Sequence, residues 1–368
     1  MSVSNQLKHA GNILFINHLL AMGDAIFLSA VFKVIKDNTP QVNITVLTRG
    51  YAVEFLKSVR SVNKVINLDD FGIARNSSRF KKLLALVRIS FLMRRFDFII
   101  MRNDPRIPFT RFFSIAAKLI GCKGIVLMDN YLSMYVSADS HILTVYQKIL
   151  QDLGYEVPEK MKFDISVSEQ GKTFAEKYLV ENEIKNERII GVFPASTIRI
   201  KSLLPGVLID ILNVDLFAKF RILLFSMDDK LNDGVCKAIS KKPIVIGKLH
   251  FDELVGLISK CNFVIAADTG PLHIAVALGI PSIGIYGPTS GMVTGPYGDI
   301  GVAIQSQKDC RFYDPIAPYS PSRALQMCYI KDECQLNMRS CIDNISAKDI
   351  LDVINDKFKH ILVKDEYE

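Results

Sequence analysis

Phe263-Val-Ile-Ala-Ala-Asp-Thr-Gly-Pro-Leu-His-Ile-Ala-Val-Ala-Leu-Gly-Ile-Pro281, continued by Ser282-Ile-Gly-Ile-Tyr-Gly-Pro-Thr289, decides how the chain folds. Phe263 to Ala267 is a short apolar run suited to a buried strand. Asp268-Thr269-Gly270 makes a turn, and Pro271 stands at the first helical position, where its missing N–H costs nothing. Leu272 to Leu278 then read as a short buried helix. Gly279 ends it in a left-handed conformation, and Pro281 forbids continuation. Ser282 to Tyr286 is the next buried strand. The unit is strand, polar turn, helix, strand. Its helix N-terminus, with unpaired N–H groups and the positive end of the dipole, favours an anion at the turn, phosphate above all.

The same alternation extends in both directions. Upstream, Asn12 to Asn17 is a strand, followed by a loop ending in Met22-Gly-Asp24. From Asp24 the apolar residues Ile26, Ala30, Val31, Val34 and Ile35 keep a helical period. Asn43 to Leu47, Val65-Ile66 and Phe96 to Met101 read as strands, and Val53 to Val59 and His141 to Leu153 as helices. Tyr155 to Lys162 reads as a crossing into a second set. Arg188 to Phe193, Arg221 to Phe225, Pro243 to Ile246 and Asn262 to Ala266 are its strands, with Leu231 to Ser240 and Phe251 to Lys260 as helices. Ser346-Ala-Lys-Asp349 is a capping box opening a C-terminal helix with Ile350, Val353, Ile354 and Phe358 on one side. Strands alternating with helices predict parallel, doubly wound α/β sheets. Residues 1–160 and 161–345 are expected to form two Rossmann-like domains facing a central cleft, with 346–368 packing back on the first.

Composition narrows the class. The chain has 368 residues, 49% apolar and 23% charged, room for two domains of about 150 to 200 residues. No secretory signal or spanning segment is visible, and seven cysteines without a signal are expected to be reduced, cytoplasmic thiols. Between Arg75 and Arg106 nine basic residues face only Asp97 and Asp104, so this segment carries a charge equal to the +7 of the whole chain. Phe80 to Arg94 there reads as a basic amphipathic helix: a solvated face, a surface for an anionic membrane, or a site for a phosphorylated ligand. No nucleic-acid-binding motif accompanies the charge, so nucleic acid is not expected as a partner. No Gly-x-Gly-x-x-Gly follows Asn12–Asn17 or Arg188–Phe193, which disfavours a nicotinamide dehydrogenase.

Several side chains fall at the carboxyl ends of these strands, where doubly wound folds hold ligands. Asp24 is either a cap or first-turn acid of its helix, or a general base for a hydroxyl. Ser196, Thr197, Arg199 and Lys201 form an ordinary polar loop or a set of phosphate donors. Asp228 and Asp229 are placed for ribose hydroxyls, and His273 as a phosphate donor or a satisfied histidine. Cys310, Cys328, Cys334 and Cys341 lack the Cys-x2-Cys pairing of structural zinc sites. They read as incidental thiols, with a bound iron or zinc as the alternative.

Asp268-Thr-Gly-Pro-Leu-His273 with Ala277-Leu-Gly-Ile-Pro281 and Tyr286-Gly-Pro-Thr289 resembles the nucleotide-sugar motif of the heptosyltransferases. Met22-Gly-Asp24 after Ile13-Leu-Phe-Ile-Asn17, and Ala195-Ser-Thr-Ile-Arg-Ile-Lys201, are similar to the opening and the phosphate loop of that family. The late Cys328, Cys334 and Cys341 resemble its C-terminal end, so the likeness spans nearly the whole chain. The resemblance implies a GT-B fold and an inverting, metal-independent transfer of heptose from ADP-heptose to a lipopolysaccharide-type glycolipid, with no cofactor. It implies a cytoplasmic enzyme, peripheral at the cytoplasmic face of the inner membrane. Asp24 would be the base. Lys201, Ser196, Thr197 and Arg199, with Thr269 and Gly270, would hold the diphosphate. Asp268 would contact the sugar, Asp229 the ribose, Leu249 the base, and His273 a phosphate. Gly23, Arg94, Arg95, Arg102 and Arg106 would face the acceptor.

The chain also departs from that family. Its phosphate loop often continues Lys-Arg/His-Trp-Pro, whereas this chain has Lys201-Ser-Leu-Leu-Pro205 and no tryptophan. Arg102-Asn-Asp-Pro-Arg106 stands where Asp-Leu-Gln-Gly is common, which opens the acceptor to other anionic glycolipids, polysaccharides or a protein. A sugar-nucleotide epimerase and a non-catalytic nucleotide- or lipid-binding protein of the same fold remain as alternatives.

Overall fold

Each apolar run read as a strand forms one. A computed structural model describes residues 7–17, 21–72, 79–101, 115, 122–306, 310, 313–316, 328, 331–336 and 341–362, with backbone alone for 79–82. The chain divides into two units, one comprising Met1–Ser166 with Ile316–Arg323 and the other Val167–Pro315 with Ala324–Glu368.

In chain order the first unit contains β1 (Asn12–Ile16), α1 (Met22–Asn38), β2 (Asn43–Thr48), α2 (Ala52–Ser58), β3 (Lys64–Asn67) and α3 (Arg79–Met93). β4 (Phe98–Met101), β5 (Gly124–Leu127), α4 (Met128–Tyr135) and α5 (Ile142–Asp152) follow. The strands order as β3-β2-β1-β4-β5 and every pairing is parallel. A parallel sheet is covered on both faces, so alternate residues of one strand serve different cores. Leu14 and Ile16 of β1 join Leu47, Ile99 and Met101 beneath Ala85, Ile89 and Met93 of α3. Phe15, on the opposite face, meets Phe32 of α1 edge-on with ring centroids 4.7 Å apart. Buried Asp164, near the end of this unit, ties itself to α2's end by accepting from Ser61 N at 2.7 Å.

The second unit contains α6 (Glu169–Glu181), β6 (Arg188–Phe193), α7 (Pro205–Leu212), β7 (Phe220–Phe225), α8 (Asp229–Ala238) and β8 (Ile244–Ile246). It continues with α9 (Phe251–Ile258), β9 (Phe263–Ala267), α10 (Gly270–Ala277), β10 (Ser282–Tyr286), α11 (Gly291–Thr294), β11 (Gly301–Gln305) and α12 (Ala347–Val353). Its order is β11-β10-β9-β6-β7-β8, again parallel throughout. All five residues of β9 are fully buried. Gly279 adopts φ +78°, the left-handed stop expected of it. Gly284 has a different duty: a Cβ there would lie 2.5 Å from Leu272 Cδ2, so the missing side chain lets α10 lie close on β10.

The C-terminal helix corrects the expectation that residues 346–368 pack back on the first domain. The Ser346–Asp349 capping box opens α12, which continues through a π-helical turn (Ile354–Phe358) and one more α turn (Lys359–Leu362). Ile350, Ile354, Phe358 and Leu362, four residues apart, form one apolar stripe. That stripe is buried in the second unit's own core with Leu208, Ile211, Phe220 and Phe263. Phe358 meets Phe263 at 5.1 Å, and Arg188 at the head of β6 donates to the carbonyls of Ile361 (2.6 Å) and Leu362 (2.7 Å). The sheet face left between α7 and the central strands needs such a stripe to cover it, which is why the helix stays with its own unit.

Candidate functional site

In the second unit the chain leaves β6 toward β7 and β8, and later returns on the other side of β6 as β9. Adjacent strands whose connections run to opposite sides mark the topological switch point of a doubly wound sheet, and loops leaving their carboxyl ends diverge there. Phe193 pairs with Ala266, so the loop after β6 and the Asp268–Thr269 turn after β9 emerge side by side.

The loop after β6 is folded on itself. Leu203 N donates to Pro194 O at 2.8 Å, Ser196 N to Ser202 Oγ at 3.0 Å, and Ile198 N to Ser196 Oγ at 3.3 Å. A 3-10 turn, Arg199–Lys201, then directs Lys201 inward. Lys201 Nζ lies 2.7 Å from Asp268 Oδ2. Thr289 Oγ1 donates to the same oxygen at 2.6 Å, and His273 Nε2 stands 3.7 Å from Oδ1. All four residues are less than a tenth exposed. Burial alone would raise the Asp268 carboxyl, but the Lys201 ammonium and His273 more than offset it and hold the group well below the usual carboxylate range.

A buried pair of this kind is held together by mutual need, because removing either partner strands the other charge in a poorly solvated place. Above it begins α10, with Thr269 as an extended N-cap whose side chain makes no cap hydrogen bond. Thr269 Oγ1 is buried and has no hydrogen-bond partner among the described residues. A helix N-terminus, an inward ammonium and a hydroxyl lacking a protein partner form an arrangement suited to a phosphate-bearing ligand.

Lys201, Asp268, Thr269, Gly270 and His273 thus come together at the carboxyl ends of β6 and β9. The other candidates are distributed differently. Ser196 uses its hydroxyl inside its own loop, and Thr197 is exposed. Arg199 points away from the cluster: its Nε is 3.1 Å from Asp332 Oδ2, while Asp332 Oδ1 accepts from Ile200 N at 3.0 Å. Asp228 is the N-cap of α8, accepting from Lys230 N and Leu231 N. Asp229 sits beside it, exposed in the first turn, and Leu249 is half-buried just before α9.

In the first unit Asp24 is a half-buried first-turn acid of α1, with Ala21 and not Asp24 as the N-cap. Gly23 precedes it in the same turn. The basic helix expected over Phe80–Arg94 is present as α3, with Arg94 and Arg95 exposed just past its end. Arg102 and Arg106 lie outside the described residues. Thr289 was quoted in the deciding stretch but given no role. Its signal was positional: it lies three residues beyond β10, the strand beside β9, so it emerges at the same carboxyl end as Asp268.

The seven cysteines are all free thiols. Burial pushes the Cys341 thiol up, and the neighbouring Cys334 and Cys328 add to that. Among the described residues no three His, Cys, Asp or Glu side chains are grouped to hold a metal ion. No described helix is long and apolar enough to cross a membrane.

Comparison with known proteins identifies the family and the fold. The family described as "Glycosyltransferase family 9 (heptosyltransferase)" matches residues 126–312, just over half of the chain. Lipooligosaccharide heptosyltransferase 2 of Haemophilus influenzae is 24% identical over 302 residues, covering 77% of this chain and 86% of that protein. Among solved structures, a family 9 glycosyl transferase from Veillonella parvula superposes with a TM-score of 0.70 at 16% identity, over 99% of this chain and 100% of its own. The ADP-heptose lipopolysaccharide heptosyltransferase II of E. coli gives 0.64, also at 16% identity, over 96% and 98%. At such identities the two structures establish the shared GT-B fold.

Proposed function

Since the chain belongs to glycosyltransferase family 9, the heptosyltransferases, we propose that it moves a heptose from ADP-heptose to a hydroxyl of an anionic, lipopolysaccharide-type glycolipid. The observation that carries this reading is the buried Lys201–Asp268–His273–Thr289 cluster beneath the N-terminus of α10, at the switch point of the second sheet. It supports a site for the donor's diphosphate.

In the reaction the acceptor hydroxyl attacks the anomeric carbon as the bond to ADP breaks. Asp24 takes the hydroxyl proton, and attack from the face opposite ADP inverts the anomeric centre. Negative charge grows on the departing diphosphate. Lys201 and the first-turn amides of α10 meet it, in positions set before the substrate arrives. Because an ammonium and backbone amides supply that stabilisation, the step is written without a metal ion. Thr269 Oγ1 donates to a phosphate oxygen, Asp268 contacts the sugar while orienting Lys201, and His273 adds a donor near the same oxygens. Asp229 accepts from the ribose and Leu249 packs on the adenine. Ser196, Thr197 and Arg199 form the rim of the phosphate loop. This reading gives Gly23, Arg94 and Arg95 to the acceptor and the enzyme to the cytoplasmic face of the inner membrane.

Thermal-shift titration with ADP-, UDP- and GDP-sugars tests the donor directly. ADP-heptose at a hundredfold excess over its dissociation constant stabilises the protein by about 2.7 kcal/mol. A larger shift with a UDP- or GDP-sugar overturns the assignment.

A further inference from the structure

Helix α3 carries two apolar faces, and its own unit buries only one of them. Ala85, Ile89 and Met93 are fully buried against the first sheet. Leu83 (56% exposed), Leu84, Val87 and Phe91 (60%) lie open to solvent. At roughly 100° per residue the exposed four fall within about 100° of arc, and the buried three within about 80° on the opposite side. The outward stripe is therefore a continuous face and not a frayed edge of the core. Isolated exposed apolar residues need no explanation, but four on one helix face mark an interaction surface.

Charge identifies what that surface meets. No acidic residue occurs anywhere in α3. Arg88 and Arg95 border the stripe on one side, and Arg94 lays its guanidinium over the Phe91 ring at 4.9 Å. Asp97, the one acid of this basic segment among the described residues, is engaged elsewhere: it accepts from Gly11 N and Asn12 N and pairs with Lys123 at 2.6 Å. An apolar stripe bordered by arginines complements an anionic lipid surface, whose acyl boundary takes the apolar groups and whose headgroups take the cations.

We propose that Leu83, Leu84, Val87 and Phe91, with Arg88, Arg94 and Arg95, are a docking face by which the first unit lies on an anionic bilayer. The proposal deepens the membrane placement of the transfer reading and shares Arg94 and Arg95 with its acceptor assignment, while the test below reads lipid binding alone.

The chain contains no tryptophan, so Phe91→Trp installs a single fluorescent reporter in the stripe. The full chain is sedimented with vesicles of phosphatidylethanolamine and phosphatidylglycerol, and separately with pure phosphatidylcholine vesicles. Binding to the anionic vesicles is expected to be at least about tenfold stronger, and to weaken as salt is raised. The Phe91→Trp emission should shift to the blue with anionic vesicles only. A Val87→Ser/Phe91→Ser double variant should lose about tenfold in binding while keeping the wild-type unfolding midpoint, because both side chains are exposed. Equal binding to the two vesicle types overturns the proposal, as does undiminished binding by the double variant. So does a concentration-dependent dimer that the double variant abolishes without any vesicle retention, since that assigns the stripe to a second copy of the chain. The assay contains no nucleotide or sugar, so its failure is distinct from failure of the proposed reaction.

Discussion

The two sheets share an order about their central strands, but different groups stand where those strands end. Beyond β6, β9 and β10 a lysine, a carboxylate, a histidine and a threonine hydroxyl are packed together, each less than a tenth exposed. Beyond β1 a half-buried carboxylate, Asp24, stands in the first turn of a helix that buries ten of its seventeen residues. The difference separates two uses of charge. A buried, mutually paired cluster holds a fixed electrostatic environment whose geometry is set by folding, and its members contribute to stability. A half-buried acid at a helix start keeps part of its surface open to solvent, as the proposed base must.

That contrast is open to direct attack. Lys201→Met removes the cation from a buried pair and should cost about 3–5 kcal/mol in denaturant unfolding. Asp24→Asn should cost less stability than Lys201→Met, yet lower transfer by about 10²–10⁴-fold with ADP affinity intact, as the proposed base role requires. If the two variants lose stability equally, the division between structural and accessible charge fails.

Acid provides a finer probe. The Asp268 carboxyl titrates below its unfolded value of 3.8, because burial, which would raise it, is outweighed by Lys201 and His273. As pH falls through 3.8 the unfolded chain therefore binds the proton first. The stability this carboxylate contributes is complete above that value and is lost progressively below it. Asp268→Asn, although less stable at neutral pH, should show a shallower decline of stability between about pH 5 and pH 2. An unchanged acid slope would remove Asp268 as the group responsible.

The smallest effect is expected at Arg199. Its pair with Asp332 is 85% exposed on the arginine side, so Arg199→Ala should change stability by about 0.2–1 kcal/mol. ADP affinity should fall far less than in Lys201→Ala. Equal losses would show that Arg199 turns inward when the nucleotide binds.

Much of this was legible in the residues themselves. Strands buried on both faces are nearly continuous apolar runs, and Phe263–Ala267 and Ser282–Tyr286 were bounded by proline and glycine that left little freedom at their ends. Asp268 and Lys201 were legible as strand-end polar groups in the right unit. Their union was not, because it depends on which strands are neighbours, and β6 and β9 are separated in the chain by two further strands. Asp228 and Asp229 show the limit at short range. Adjacent acids at a helix start have equal claims as cap and as ligand, and it is the bonds Asp228 accepts from Lys230 N and Leu231 N that make it the cap. The pair that Arg199 makes was illegible for a related reason: its partner Asp332 lies 133 residues away. β5 and β11 escaped notice because four or five residues with a glycine at the head carry too little pattern.

The placement of the C-terminal helix bears on the order in which the molecule acquires its shape. Arg188 opens β6, and the carbonyl it grasps at Leu362 lies 174 residues further along. At about 5–20 residues per second of synthesis, β6 waits roughly ten to thirty-five seconds for the stripe that covers its face. The first sheet, among the described residues, draws all its strands from Asn12 to Leu127. On the ribosome, then, the half bearing Asp24 completes its sheet while the half bearing Lys201 is still an open surface, and the last helical turns to emerge close it.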